Sequence, residues 1–443
     1  MWIVSCLSIG AAELHKQRTM RLIHVNIQAR QETTRVTGTV ERSGSQFEVY
    51  FEYESTDALP LASSADAFAA TLLLPAMRAG EALEIAPSVS PLLCFSLPRV
   101  RDIFHTWWPH LPRIPILTTP DTNASTQQRD LSATFFSGGV DSFYSLLKTR
   151  RVAGALPQPL THIIYMRGVE TRLENTEGIQ ETENRIRRIA EATGVQAIMG
   201  ESNVRTSNIQ GSEENLNWER HYHGSALAGI ALGLSGYLSF VCIPSAFSYN
   251  HLVAHGSTPL VDELYSTERL RILHDGSEVT RAEKVARIIE WDKDLVLGNL
   301  RVCVMNSGGA FNCGRCYKCI RTAIALRALG VWDQVHTFKD KTTDHWERII
   351  FWDHLALTEE NLQFAKVHSA DAQLISMLRR VVRRHRRRHG AADPRPGLRP
   401  AHDVARCPPG LREDHGWAAV PGPGRSCRAP AADGGSGRTS RSP

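Results

Sequence analysis

A pair of glycines flanked by serines and followed by an aspartate is where residue types and spacing first suggest chemistry. The hexapeptide reads Ser-Gly-Gly-Val-Asp-Ser over residues 137–142. Residues 133–136 before it are apolar enough for a buried strand, and apolar residues recur at helical spacing after it. The glycines therefore fall at a strand-to-helix turn, where backbone N–H groups and the helix dipole favour an anion.

This turn is suited to binding a phosphate. Gly138 and Gly139 carry no side chain that would keep a phosphate from the backbone, and the hydroxyls of Ser137 and Ser142 can donate hydrogen bonds to it. Asp141 would repel a phosphate unless a divalent cation lay between them, so we interpret it as a Mg²⁺ ligand. The alternative is an ordinary glycine turn whose aspartate and serine only cap a helix.

Four cysteines form the second constellation. Cys313, Cys316 and Cys319 are each separated by two residues, and Cys303 precedes them by a glycine-bearing loop that could fold back to complete four thiolates. Tetrahedral Zn²⁺ suits four sulfurs with no open position, which predicts a structural clamp and not a Lewis acid. An iron–sulfur cluster and reactive redox thiols are the alternatives.

A third signal lies at the start of a predicted helix after residue 278. Thr280 and Glu283 have the spacing of a capping box, which explains both residues structurally. Arg281 and Lys284 fall in the first turn, where cations oppose the helix dipole and a bound phosphate would offset that cost. We therefore predict a phosphate contact for Arg281, with an ordinary surface charge as the alternative.

These motifs, in this order, resemble those of a known superfamily. Residues 137–142 match the Ser-Gly-Gly-x-Asp-Ser loop of the PP-loop ATP pyrophosphatases, the adenine-nucleotide alpha-hydrolase-like superfamily. The segment Thr-Arg-Ala-Glu at 280–283 and the pattern Cys-Gly-x-Cys-x-x-Cys at 313–319 make the chain most similar to the 7-cyano-7-deazaguanine synthase branch. The resemblance covers about residues 131–330.

The resemblance implies an ATP-dependent ligase. ATP would adenylate a carboxylate or amide oxygen of a small molecule with release of pyrophosphate, and ammonia or an amine would then displace AMP. It implies ATP, Mg²⁺ and structural Zn²⁺ as cofactors. The Asp/Tyr/Pro-rich substrate stretch of that family is replaced here by residues 245–259, so the deazaguanine substrate is not carried over.

Strand and helix patterns alternate over residues 131–330, which predicts an α/β fold with a parallel sheet covered on both faces. The resemblance implies that this sheet is doubly wound and of the Rossmann-like, HUP type. The carboxyl ends of such strands form one edge of the sheet, and ligands bind at this edge. A histidine at a helix start and a polar, glycine-containing loop at 247–259 are predicted to lie next to it. Capping residues and a solvated connection are the alternatives.

The candidate nucleotide-binding residues are Ser137, Gly138, Gly139, Val140, Asp141, Ser142, Met166 and Gly168. Asp141 and Arg281 are the candidate catalytic residues, and His223, His255 and Ser257 are the candidate substrate contacts.

The rest of the chain divides by composition. Residues 1–19 are predicted to be an extension, 20–125 a β-rich module, and 126–345 the PP-loop domain with its four-cysteine zinc site. Helices are predicted over 346–389 and a disordered Pro/Gly/Arg-rich tail over 390–443. Within the β-rich module, residues 83–97 are predicted to be extended with proline breaks.

Charge and apolar content limit the function classes. The formal charge is +5, but residues 379–443 hold 15 arginines against 5 acidic residues, which leaves 36 basic and 41 acidic residues in 1–378, a balance of −5. This balance argues against a nucleic-acid partner, and hence against the alternative of a sulfur-transferring tRNA-modifying enzyme. A non-catalytic nucleotide-binding module is the other alternative.

No apolar run reaches membrane-span length, and no basic residue precedes the short N-terminal apolar segment. Because a cluster of cysteines in a chain without a predicted secretory signal indicates a metal in a reducing compartment, we expect a cytoplasmic protein without a membrane partner. We also expect a homodimer.

Overall fold

The structure is a computed structural model. It describes residues 18–54, 61, 65–122, 130–169, 173, 176–212, 214–304, 311–350 and 355–389. The predicted extension up to residue 17 and the predicted tail from residue 390 lie outside the described residues.

Ten strands of the described residues form one sheet. In chain order they are β1 (Thr19–Ala29), β2 (Thr33–Arg42), β3 (Ser45–Glu54), β4 (Ala82–Val89), β5 (Ile116–Pro120), β6 (Ser132–Phe135), β7 (His162–Arg167), β8 (Gln196–Ser202), β9 (Phe240–Pro244) and β10 (Arg271–Asp275). The order across the sheet is β10-β9-β6-β7-β8-β3-β2-β1-β4-β5. Strands β10 to β8 are mutually parallel, β8, β3, β2 and β1 are antiparallel neighbours, and β1, β4 and β5 are parallel. The α/β class is confirmed, with a large and mostly parallel sheet.

Helices lie on both faces of this sheet. They are α1 (Asp66–Ala79), α2 (Pro91–Trp107), α3 (Val140–Arg151), α4 (Thr176–Thr193), α5 (His223–Gly233), α6 (Arg281–Asn299), α7 (Tyr317–Ala328), α8 (Trp346–Ile350), α9 (Leu355–His368) and α10 (Ala372–His389). Alternate residues of β7 enter different cores: Ile164 and Met166 belong to the core that contains residues of α1 and α5, whereas Ile163 and Tyr165 belong to the core that contains residues of α3, α6 and α7. None of the described helices combines the length and hydropathy needed to cross a bilayer.

The segment predicted as a β-rich module shares its sheet with the segment predicted as the PP-loop domain. Strand β3 pairs with β8, where Phe51 lies opposite Ser202 and Tyr53 lies opposite Gly200. The buried Tyr53 hydroxyl also donates a 2.7 Å hydrogen bond to the carbonyl of Ile230 in α5. The domain boundary at residue 125 stays a prediction, but β3 from one side of it and β8 from the other are hydrogen-bonded neighbours in one sheet.

One predicted span is wrong. The extended structure predicted over 83–97 ends with β4 at Val89, and α2 begins at Pro91. Of the nearby prolines, Pro87 lies in β4, Pro91 stands at the first position of α2, where the N–H would have no intrahelical partner, and Pro98 lies inside the helix. The helical signal is instead the buried spacing of Leu93, Leu97, Val100 and Phe104.

Replacing Tyr53 by Phe tests whether the two halves of the sheet unfold together. The change deletes the hydrogen bond to Ile230 and leaves a buried carbonyl without it, so we expect the free energy of unfolding to fall by about 1 kcal/mol. Urea unfolding followed by circular dichroism and tryptophan fluorescence should give one shifted transition. Tyr249→Phe, at a side chain that is 59% exposed, is the control and should unfold like the parent. Two separate transitions in the parent protein would contradict the shared sheet.

Candidate functional site

The glycine-rich hexapeptide forms the predicted turn between a buried strand and a helix. Strand β6 ends at Phe135, and α3 begins at Val140 with Gly139 as its N-cap. Gly138 has a φ of +77°, which favours glycine, and its carbonyl accepts a 2.8 Å hydrogen bond from the Arg301 N–H. The Ser142 hydroxyl donates to the Gly139 carbonyl at 3.0 Å. One side of the turn is therefore held by the segment around residue 301.

Asp141, in the first turn of α3, faces two cations from the first turn of α6. Its Oδ2 accepts a hydrogen bond from Arg281, and its Oδ1 lies 3.2 Å from the Lys284 ammonium. Lys284 is buried and also donates to the Ser245 carbonyl at 2.6 Å. Burial opposes ionisation of Asp141, but the charges of Arg281 and Lys284 outweigh it and lower the pKa of this carboxyl to about 2. The predicted capping box of Thr280 and Glu283 is confirmed at this end of α6.

A buried polar network continues from Asp141 along the same face of α3. Asp275, at the end of β10, accepts hydrogen bonds from Ser145 at 2.6 Å and from Lys148 at 2.5 Å. Lys148 also lies 2.8 Å from Glu278. The sequence shows the α3 half of this network, because positions 141, 145 and 148 are polar at helical spacing. It contains no pattern that pairs these positions with β10.

The two predicted nucleotide-binding residues at the carboxyl end of β7 have structural roles. The Met166 side chain is buried in the core beside the sheet. Gly168 has a φ of +79°, and a Cβ on it would lie 2.1 Å from the Ser202 carbonyl oxygen, so this position requires glycine. Both residues stand at the carboxyl end of β7, next to the strand that precedes the hexapeptide. Their backbone, and not the Met166 side chain, is what they can offer a ligand.

The structure brings two of the three predicted substrate residues together. The His223 and His255 rings lie 4.9 Å apart in an edge-to-face arrangement. Burial lowers the pKa of His255 to about 3, so this ring is neutral at pH 7. The Ser257 side chain instead donates to Asp262 at 2.6 Å, within a buried cluster that includes His274. Ser257 touches His255 only through its carbonyl, at 3.2 Å.

Glu219 and Lys318 complete this histidine cluster, and sequence reasoning did not find them. The Lys318 ammonium lies 3.4 Å from Glu219 Oε1, which also accepts a 3.4 Å hydrogen bond from the Tyr317 hydroxyl. The Lys318 charge lowers the pKa of Glu219 to about 2, against the effect of burial and with smaller contributions from His255 and His223. Tyr317 and Lys318 stand between the last two of the four clustered cysteines, so the histidine cluster adjoins the four-cysteine site.

The four predicted cysteines converge. The Sγ atoms of Cys303, Cys313, Cys316 and Cys319 all lie within 4.8 Å of one another, and the Cys313 and Cys319 sulfurs are 3.9 Å apart. A tetrahedral ion bound at 2.3 Å by four sulfurs would set them about 3.8 Å apart. This spacing fits one shared ion and is too short for each sulfur to bind a different iron of a cluster. The site could hold a structural metal such as zinc.

The mutual effects of the four thiols on their pKa values favour a bound cation at this position. Hydrogen bonds from the other three thiols lower the pKa of Cys303 far below its ordinary value, and hydrogen bonding to their neighbours raises the pKa values of Cys316 and Cys319. The four groups therefore cannot all become thiolates unless a positive charge compensates them. Backbone N–H groups of Arg315 and Cys316 also point at Cys313 Sγ, at 3.4 and 3.3 Å.

Asn312 fastens the isolated Cys303 to the other cysteines, and no local pattern predicted it. Its side chain is fully buried. Its Oδ1 accepts hydrogen bonds from the N–H groups of Val302 at 2.7 Å and Cys303 at 3.2 Å, and its Nδ2 donates to the Leu300 carbonyl at 2.7 Å. Because Arg301 within this segment bonds to Gly138, the four-cysteine site and the glycine turn are joined through four consecutive residues.

Comparison of the chain with protein-family models, with curated proteins and with solved structures finds no match in any of the three. The resemblance to the PP-loop superfamily therefore depends on the motifs and on where they lie in the fold.

Replacing Asn312 by Ala should weaken metal binding without removing a ligand. The Cys303 backbone would lose its fixed position, and changes of this kind next to a metal site reduce affinity by about 10–100-fold. We expect the purified parent to carry one zinc per chain and the variant to release zinc faster to a chromogenic chelator. Asn215→Ala, at an exposed position, is the control. Equal release rates for parent and Asn312→Ala would contradict the role of Asn312.

Replacing Asp141 by Asn should reveal the ion cluster as a pH-dependent difference in stability. At neutral pH we expect the variant to be less stable by about 2–4 kcal/mol, because the buried Lys284 loses its carboxylate partner. The pKa of Asp141 is lowered from 3.8 to about 2, so its contribution is complete above pH 4 and is lost as the pH falls towards 2. Urea unfolding of both proteins measures the difference, with the exposed Asp294→Asn in α6 as control. A difference that does not shrink between about pH 4 and 2 would exclude this origin.

Proposed function

We propose that this protein is an ATP-dependent ligase of the PP-loop, HUP-type class. It activates a carboxylate or amide oxygen of a small molecule as an adenylate with release of pyrophosphate, and ammonia or an amine then displaces AMP. The observation that carries the proposal is the glycine turn after β6 together with two cations from α6 beside its aspartate.

Backbone N–H groups at the start of α3 would hold the departing pyrophosphate, with Ser137 as a further donor. Arg281 and Lys284 stand at the same end of α3 and would neutralise the charge that develops between the α- and β-phosphates. Asp141 positions both cations, since each of its carboxylate oxygens contacts one of them. Preorganised cations of this kind stabilise a transition state without moving during the reaction.

The Asp141 carboxylate is also the side chain that would hold Mg²⁺. A carboxylate oxygen is a fitting ligand for this ion, although both oxygens already have cationic partners, so the ion would share the carboxylate with them or displace one. When bound, Mg²⁺ screens the negative charge of the phosphates. The four-cysteine site would hold zinc as a structural clamp, because four sulfurs leave no open coordination position.

The acyl substrate would lie at the cluster of His223, His255, Glu219 and Lys318. Neutral His255 offers a hydrogen-bond acceptor at pH 7, and Lys318 offers a cation for a carboxylate. Such a reaction suits the reducing cytoplasm, in which the four thiols stay available to a metal. We place the protein there and expect it to work as a homodimer.

Pyrophosphate release from ATP across a panel of carboxylic acids, amides and amines tests this proposal. Arg281→Gln keeps Lys284 as a partner of Asp141, so the fold should survive while the rate falls by about 100-fold or more. Arg287→Gln is the matched control, because it removes an exposed arginine of the same helix that pairs with Glu290. Tight ATP binding with no turnover on any substrate would favour the non-catalytic module. Equal activity of the two variants would contradict the assignment of Arg281.

Sulfur transfer to tRNA is the second candidate. It would need reactive thiols, whereas the four clustered cysteines are arranged as a closed metal site. Sulfide incorporation into a tRNA pool, measured with the same protein, would favour that candidate over the ligase.

A further inference from the structure

Exposed arginines line the solvent side of helix α10, and they differ in whether an acidic residue pairs with them. Arg380 pairs with Glu347 at 3.0 Å, and Arg386 pairs with Glu359 at 2.6 Å. Arg379 and Arg383 are exposed, and within the described part of the chain neither has an acidic partner within 4.0 Å. They stand one helical turn apart, an arrangement of like charges that destabilises an isolated helix. Arg379 is also ten residues from the end of α10 at His389, so the helix dipole does not account for it.

These two arginines line a groove of about 690 Å³ between α9, α10 and the start of α6. The carboxylates along it are already engaged. Glu283 caps α6, Glu359 pairs with Arg386, and Glu360 accepts the Ala282 N–H at 3.1 Å. The lining holds Lys366, Arg379, Arg383 and Arg386 against these three carboxylates, so its formal charge with histidine neutral is +1. Lys366 contributes to this positive balance, and its ammonium donates to the Gln363 amide oxygen.

An aromatic ring lies beside these cations. His368 is exposed and stacks on the buried Phe364 with ring centroids 4.3 Å apart. A basic groove combined with an exposed, supported ring is the arrangement by which proteins bind single-stranded nucleic acid, where cations contact phosphates and rings stack on bases.

We propose that the groove formed by Arg379, Arg383, Lys366 and His368 binds a single-stranded nucleic acid through its phosphodiester backbone. The acidic balance of residues 1–378 does not argue against this surface, because both arginines lie beyond residue 378. The groove also reaches Thr280, next to Arg281, so a bound strand would pass close to the proposed nucleotide site.

A membrane surface is a poorer match for α10. Amphipathic helices bind membranes by inserting a free apolar face. The apolar face of α10 is occupied, since Leu374, Leu378, Val381 and Val382 are buried in the core that contains α7 and α9. Only the charged face is available to a partner.

Fluorescence anisotropy with a labelled oligouridylate of about 12 nucleotides tests the proposal on the full chain without ATP, so the result does not depend on the proposed enzyme activity. The variant Arg379→Gln/Arg383→Gln is compared with Arg380→Gln/Arg384→Gln, which removes the same charge from the neighbouring face of the same helix. The arginines after residue 389 are identical in both proteins. Circular dichroism checks that both variants keep the parent's helix content.

We expect the first variant to bind about tenfold more weakly, and the slope of log affinity against log salt to fall by about 1.4, as for two lost phosphate contacts. The second variant should bind within about threefold of the parent. Equal weakening of both variants, no binding by the parent, or equally effective competition by polyglutamate would overturn the proposal.

Discussion

The ion cluster of Asp141, Arg281 and Lys284 is the interaction on which the candidate site depends. It joins the first turn of α3 to the first turn of α6, and each of these helix ends carries part of the proposed phosphate site. Lys284 is buried and Arg281 is nearly so, which costs desolvation free energy that only a carboxylate in contact can offset. The same three charges fix the position of Ser245, because Lys284 also bonds to its carbonyl.

The four-cysteine site is connected to the glycine turn through the segment that contains Arg301 and Cys303. Cys303 follows Arg301 by two residues, and the Arg301 N–H holds the Gly138 carbonyl. Asn312 fixes the backbone on both sides of Arg301. A metal bound by the four sulfurs would therefore stabilise the turn from a distance, without touching a phosphate. The same site holds Lys318 and Tyr317 against Glu219, so one clamp supports both proposed ligand regions.

Local patterns in the sequence predicted the parts of this site that depend on neighbouring residues. The turn followed from an apolar strand, two glycines and a helical repeat, the capping box followed from the spacing of Thr280 and Glu283, and the convergence of three cysteines followed from their regular separation. The α/β class followed from the alternation of strands and helices.

The missed features depend on contacts between distant residues. Lys284 was indicated only as a cation in the first turn of a helix, and its contact with Asp141 forms when α6 packs on α3. Asn312 has no pattern that distinguishes it from any polar loop residue. Ser257 was a reasonable candidate within a polar loop, but its side chain turns towards Asp262 and His274. The helix over 91–107 was missed because proline was interpreted as a break, whereas burial of one face decided the outcome.

A crystal structure with Mg²⁺ and an ATP analogue that resists cleavage between the α- and β-phosphates tests the central claim most directly. The account predicts the β- and γ-phosphates on the backbone N–H groups at the start of α3, with Arg281 and Lys284 in contact and Mg²⁺ at Asp141. A nucleotide bound elsewhere, with the Asp141 ion cluster and the turn unchanged, would contradict it.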